Sequence, residues 1–353
     1  MQDWLLEYLR CPFTRKSFKI DIINIQERTF NDGTLNVITE AILFSDENWF
    51  YPVINGIPRL AIDSFLDYEQ FLRKNLSNYE ERKQQLLNQY GSIIQSVRHQ
   101  NKKTKTAFTK EWSFYNFEED KTWNADASGM IERFLKETDE TFNSLKEKII
   151  FDAGCGNGRL NILLGENNIR NIGIDLSSHV DKCHERNNWT QTAFIEGDIQ
   201  FPPVLFQGFD IVHCSGVLIH TKNPELSFSC IEPLTKNNGK LSVWLYHPRK
   251  NRLHNFFNII REFTSKLPIN IQLLFYSISI FPISYLVKRM KGNRQNKREM
   301  MLQIFDWFSP EFRWEVQLEE GITWFSKRNY TEIQQTTTDL FGYNLIGKKS
   351  NKC

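Results

Sequence analysis

No Cys-x-x-Cys pair occurs anywhere in this chain. Its six cysteines stand apart, at positions 11, 155, 183, 214, 230 and 353, so neither a disulfide framework nor the paired spacing of a zinc site is indicated. Free thiols of this kind fit a reducing cytoplasm. Neither sign of charge prevails: 44 Lys and Arg face 42 Asp and Glu, a formal +2. A protein whose main surface binds nucleic acid ordinarily shows a strong basic bias, which argues against nucleic acid as a partner. The opening segment MQDWLLEYLR carries acids and no long apolar run, so no secretory signal is expected. What the chain does have is aromatic bulk for a core, led by 28 Phe, and a length of 353 residues. That length predicts one large domain with an appendage.

Four textures follow one another. Residues 1–62 mix short β-type runs with the turn signals Asn31-Asp32-Gly33 and Asn55-Gly56 and read as a small β-rich module. Residues 63–105 are polar, with Leu66, Phe71, Leu72, Leu86 and Leu87 at helical spacings, and read as a helical linker. From 106 to 353 runs the main domain, an α/β pattern interrupted by an apolar helical insertion at about 248–305. Short apolar strands are predicted at 149–153, 171–175, 193–196, 209–215 and 240–246. Their alternation with helices implies a parallel sheet covered on both faces. Ligands of such sheets sit beyond the carboxyl ends of the strands, so the chemistry is expected there.

The sharpest signal is Phe151-Asp152-Ala153-Gly154-Cys155-Gly156-Asn157-Gly158-Arg159-Leu160. An apolar strand runs into three glycines and then a helix. Glycine suits a tight turn there, and a Cβ would hold a cofactor away from the main chain. Asp152, at the strand end, is expected to face the site. A dinucleotide loop would want a small residue where Arg159 stands. Gly173-Ile174-Asp175-Leu176-Ser177 follows, its acid about twenty residues past the glycines and placed to accept from two ribose hydroxyls. Then comes Glu196-Gly197-Asp198-Ile199, in which Asp198 can accept from an adenine amino group while Ile199 packs on the ring. Nicotinamide enzymes have no general need for that second acid.

The runs DAGCGNGRL, GIDLS, EGDI, FDIVHCSGVLIHTKNP and LTKNNGKLSVWLY resemble the successive motifs of class I methyltransferases of the type-11 group, over about residues 107–248. The resemblance implies a Rossmann-like sheet with S-adenosylmethionine as cofactor. By motif position it implies that Asp152, Gly154, Cys155 and Gly156 line the methionine part, Asp175 and Leu176 the ribose, and Asp198 and Ile199 the adenine. Cys214, Ser215 and Gly216 would follow the fourth strand beneath the cofactor. Residues 1–62 resemble the zinc-ribbon module akin to the tRNA-methyltransferase activator subunit, through Leu9-Arg10-Cys11-Pro12 and Tyr51–Pro58. Thr14 stands where a second cysteine belongs and residues 45–48 contain none. A zinc site needs about four N or S ligands, so a metal-free relic is expected and no metal is assigned.

On the acceptor side, candidate bases must follow the fourth and fifth strands. His220 follows the fourth; Tyr246 and His247 end the fifth. A neutral imidazole suits proton removal from a hydroxyl, although a structural histidine fits His220 equally. The aromatic stretch 106–123, with Trp112, Phe114 and Tyr115, reads as a lid or as packing. The run 270–287 is apolar and flanked by Lys266, Lys288, Arg289 and Lys291. It reads first as a buried cap and second as an interfacial helix reaching a lipid-linked acceptor, with peripheral membrane contact. Asp306 and Trp307 are candidates to touch the acceptor.

The expected function is a cytoplasmic S-adenosylmethionine-dependent methyltransferase acting on an oxygen of a sugar-like or specialised-metabolite small molecule. The alternatives are an RNA or protein methyltransferase, a nicotinamide-dependent oxidoreductase, and a catalytically inactive S-adenosylmethionine-binding protein.

Overall fold

The computed structural model describes residues 1–45, 48–117, 120–121, 125–249, 252–293 and 295–351. Trp123 and Cys353 lie outside them.

The N-terminal module is a four-stranded antiparallel sheet in sequential order: β1 (Lys19–Phe30), β2 (Gly33–Phe44), β3 (Phe50–Ile54) and β4 (Ile57–Pro58). Both turn signals act as hairpins. Phe30 pairs with Gly33 around Asn31-Asp32, and Ile54 pairs with Ile57 around Asn55-Gly56. Asn55 and Gly56 have φ of 55° and 79°, the pair of positive values that a two-residue turn matched to strand twist requires.

The main sheet has seven strands: β5 (Ile149–Ala153), β6 (Arg170–Asp175), β7 (Thr192–Glu196), β8 (Phe209–Ser215), β9 (Thr235–Tyr246), β10 (Tyr330–Thr338) and β11 (Gly342–Lys349). Their order is β10-β11-β9-β8-β5-β6-β7. Neighbours from β9 to β7 are parallel, whereas β11 is antiparallel to both its partners. The chain reverses direction of travel at β5 and β8, so the carboxyl ends of these two strands open a crevice at the switch point. The five predicted strands are all present. β10 and β11 are additions, because TEIQQTTT carries too little apolar alternation to announce itself as a strand.

The module covers what would otherwise be an open edge of this sheet. Arg59, just past β4, bridges alongside Glu196 of β7, and Leu60 N donates to Glu196 O at 2.7 Å. The Arg59 guanidinium is buried against Asp181 (2.5 Å) and Glu196 (2.9 Å), and Lys105 reaches the other Glu196 oxygen at 2.8 Å. The buried cation is held by the equally buried Glu196 carboxylate and the partly exposed Asp181, so removing Glu196 is costly.

One helix runs unbroken from Tyr79 to Ser113, across the 105/106 boundary read from the sequence. The insertion forms the helices Arg252–Thr264, Ile269–Phe275, Phe281–Met290 and Lys297–Phe308, with a π-turn at Tyr276–Ile280 joining the middle pair. The first reading of this cap as buried does not hold. One face packs on the Lys297–Phe308 helix through Tyr276, Phe305 and Phe308, but Leu274, Ile278, Ile283 and Leu286 are each more than 60% exposed. A single layer of helices has only one side to bury.

Candidate active site

A cavity of about 560 Å³ opens above the carboxyl ends of β5, β6, β7, β8 and β9. Its floor at β5 is glycine because nothing larger fits. Gly154 has φ +91°, and a Cβ there would come 2.4 Å from Val217 Cγ2; Gly156 has φ +55°, and its Cβ would come 2.6 Å from the Trp112 ring. Trp112, carried by the long Tyr79–Ser113 helix, thus roofs the turn. Phe114 instead packs on Phe305 (ring centroids 5.2 Å apart), and the Tyr115 hydroxyl accepts from Arg159 Nη1 at 3.0 Å.

Gly154, Gly156, Asp175, Leu176, Asp198, Ile199 and Ser215 all line the cavity, with Gly216 beside them. Asp175 ends β6 and is held from below, accepting from Gly156 N at 2.9 Å and Ser177 N at 2.8 Å. Burial nevertheless raises its pKa, because two amide donors do not replace a full hydration shell. Asp198 accepts from Gln200 N at 2.8 Å and from Asn101 Nδ2 at 2.6 Å. Asn101 comes from the long helix, so part of the segment read as linker is site wall.

Three residues lie elsewhere than expected. Asp152 does not line the cavity; its Oδ1 is 3.0 Å from His213 Nδ1, whose Nε2 is 3.0 Å from Glu137. The strand end turns its carboxylate down towards a cation rather than up into the site. Cys155 packs among Ile57, Ile162, Val180 and Phe194, and Cys214 is wholly buried in the core. Strand alternation turns the Cys214 side chain away from the face on which Ser215 opens.

The far half of the cavity is made by β8, β9 and the cap. His220 and Tyr246 line it; His247 does not, its Nδ1 lying 3.4 Å from Pro248 O. His220 Nδ1 donates to Phe312 O at 2.9 Å, which fixes the tautomer and leaves Nε2 as a bare lone pair. Nε2 has no hydrogen-bond partner among the described residues and stands 3.9 Å from Asp306 Oδ1. Burial pushes the imidazole down to about 4, so it is neutral at physiological pH. Tyr246 donates to Asp306 Oδ2 at 3.2 Å. Burial lifts Asp306 to about 6. Trp307 lines the cavity next to it.

Glu111 had no sequence signal. It lies in the polar part of an aromatic stretch, and only the direction of its helix brings it to the cavity. It is buried, lines the cavity, and leaves Oε1 with no partner among the described residues. Burial, then the nearby charges of Asp306 and Asp175, push it well above the usual carboxylate range.

Residues 151–243 match the family of methyltransferase domains. This segment is a methyltransferase domain. Ubiquinone biosynthesis O-methyltransferases of Coxiella burnetii strains are 31% identical over 101 residues, 28% of this chain and 43% of theirs. The chain thus spans less than half the length of the curated relatives it matches. Among solved structures, magnesium protoporphyrin IX methyltransferase from Synechocystis, with bound SAH, has TM-score 0.41 and 16% identity, covering 72% of this chain and 99% of that one. The YcgJ protein of Bacillus subtilis has TM-score 0.41 and 14% identity, covering 63% and 99%.

The cofactor of the methyltransferase domain is S-adenosylmethionine, and the residues present fit it. Its sulfonium and α-ammonium are cations, and the cavity offers the raised carboxylates of Asp175, Glu111 and Asp306, with an oxygen on Glu111 that has no partner among the described residues. Glu111 is repelled by the charges of Asp306 and Asp175, and a cation beside it relieves that repulsion.

Around Cys11 the N-terminal module is joined by hydrogen bonds. Thr14 N donates to Cys11 Sγ at 3.4 Å, Thr14 Oγ1 and Ser45 Oγ are 2.9 Å apart, and Cys11 Sγ lies 3.8 Å from the Tyr51 hydroxyl. No cluster of three or more His, Cys, Asp or Glu suited to a metal is present among the described residues.

Proposed function

We propose that this protein transfers the methyl group of S-adenosylmethionine to a hydroxyl oxygen of a small molecule of the sugar-like or specialised-metabolite class. The observation that carries the reading is the His220–Asp306 pair, one bare ring nitrogen 3.9 Å from a carboxylate, in the same cavity as Gly154, Asp175 and Asp198. The O-methyltransferase relatives favour oxygen as the accepting atom.

The bound cofactor supplies a methyl group already activated on a positively charged sulfur. The protein's part is to position the acceptor and to take its proton. A hydroxyl donating to His220 Nε2 delivers that proton to a ring held by Phe312 O, and the Asp306 carboxylate stabilises the imidazolium that forms. Tyr246 fixes the carboxylate from its other oxygen. Phe108, Trp244, Trp307 and Phe341 wall this half, offering flat apolar faces to a ring-shaped acceptor and excluding water.

The test is methyl transfer from labelled cofactor to a panel of hydroxylated glycosides and phenols. Transfer to a hydroxyl that His220→Ala lowers by about 10²-fold or more supports the reading. Transfer only to nitrogen or carbon acceptors contradicts it.

A further inference from the structure

We infer that the outer face of the cap is a docking surface for an anionic lipid bilayer, on which the protein lies peripherally. The inference stands apart from the acceptor chemistry and rests on the cap alone.

The first observation is where apolar surface is exposed. Phe263, Leu274, Ile278, Ile283, Leu286 and Met290 are 62–79% exposed, a degree unusual for residues of this size clustered together. They follow helical steps along the two long arms of the cap. The five-residue step from Ile278 to Ile283 spans the π-turn Tyr276–Ile280, whose wider turn takes up about one extra residue and helps keep both stretches facing outward. The opposite face of the same helix is committed to the protein, since Gln272 and Tyr276 are buried and Gln272 Oε1 accepts from Ser309 Oγ at 2.7 Å. A helix so divided lies on a membrane rather than through it, although Ile269–Met290 is long and apolar enough to cross one.

The second observation is charge. From Leu267 to Val287 there is no charged residue, and exposed Lys266 and Lys291 stand just beyond its two ends. Between Arg252 and Arg298 lie nine of the chain's 44 Lys and Arg but only one of its 42 acids, Glu262. Over the whole cap to Phe308, which adds Glu299 and Asp306, the net charge is +6 and the remainder of the chain carries −4, against a total of +2. A second copy of this chain seated on the same face would set +6 against +6. An anionic bilayer meets both the apolar stripe and the cations at its ends. Not every cation faces outward: Lys288 lines the cavity and donates to Gln295 Oε1 at 2.9 Å, and Arg298 pairs with Asp120 at 3.3 Å. The Phe281–Met290 helix thus presents Lys288 to the cavity and Ile283, Leu286 and Met290 to the outside.

The experiment is co-sedimentation of the full chain with vesicles of equimolar phosphatidylglycerol and phosphatidylcholine at low salt, and with phosphatidylcholine alone. Binding to the anionic vesicles is expected, falling on addition of salt. The double substitution Lys266→Gln, Lys291→Gln is expected to weaken binding by about tenfold. The triple substitution Ile278→Glu, Ile283→Glu, Leu286→Glu is expected to abolish it with the melting temperature retained, since all three side chains are exposed. Wild-type protein that remains in the supernatant at low salt overturns the inference. So does binding that survives the triple substitution, or a dimer in solution that the triple substitution dissolves, which would make a second copy the occupant.

Discussion

Tyr246, the last residue of β9, donates its phenolic hydrogen to Asp306 of the cap across 3.2 Å. The bond ties the sheet that carries the glycine turn to the insertion that completes the cavity. Arg313 supports it from outside, its guanidinium 4.1 Å from the Tyr246 ring and 4.3 Å from Trp307. Asp306 is therefore held in place while its second oxygen faces His220.

Because Asp306 titrates near 6 and must be ionised to stabilise an imidazolium, turnover should rise with pH through about 6 and then level. His220, driven by burial to about 4, stays neutral across that range and adds no second limb. Asp306→Asn should lower kcat by roughly 10²-fold and abolish the rise. A pH–rate profile with the same inflection in Asp306→Asn would assign it to another group.

Glu111→Gln should separate two ligands that differ by one charge. The sulfonium of S-adenosylmethionine is a cation, whereas the sulfur of S-adenosylhomocysteine is neutral. Removing a buried carboxylate should cost the first about 1–2 kcal/mol more than the second. Parallel calorimetric titrations give the difference, and equal losses would place Glu111 away from the sulfur.

The His213 triad predicts a pH dependence of stability. Burial alone would lower the imidazole, but bonds to Asp152 and Glu137 outweigh it and push it up to about 9. A group raised in the folded state contributes fully below its unfolded value of 6.5, and the contribution is lost as pH rises from there through about 9. That interval corresponds to about 3 kcal/mol. Denaturant unfolding should show wild type weakening across this window, and His213→Gln should be less stable at its lower end with a flatter profile. An equally steep profile in the variant would rule His213 out as the source.

The purified protein should hold far less than one zinc per chain, with a melting temperature that chelator leaves unchanged. Cys11 lies beside the hydrogen-bonded pair Thr14 and Ser45, and a zinc site needs about four N or S ligands. Stoichiometric zinc by elemental analysis would contradict this.

The five parallel strands were legible because each holds a short apolar run, and periodicity reports those directly. Gly154, Gly156, Asp175 and Asp198 could be located because chemistry at a strand end needs particular residue types there. Asp152 shows the limit: a strand-end carboxylate reads the same whether it faces a ligand or a buried imidazole, and His213 lies 61 residues away. Glu111 and Asn101 were invisible for a related reason. Asn101 sits in the segment that reads as polar linker and Glu111 in the aromatic stretch after it, and only packing turns one face of their common helix into the cavity. The exposure of the cap was equally hidden, since the same apolar stripe serves a core or a surface.

The most direct measurement is calorimetric titration of the purified chain with S-adenosylmethionine, S-adenosylhomocysteine and NAD. Micromolar-range binding of the first two and none of NAD is predicted. Asp175→Ala should weaken the cofactor by about 1–3 kcal/mol, because ribose hydroxyls lose a charged acceptor in a partly dry site. Comparable affinity for NAD, or no binding of S-adenosylmethionine at all, would contradict the methyltransferase reading of this cavity.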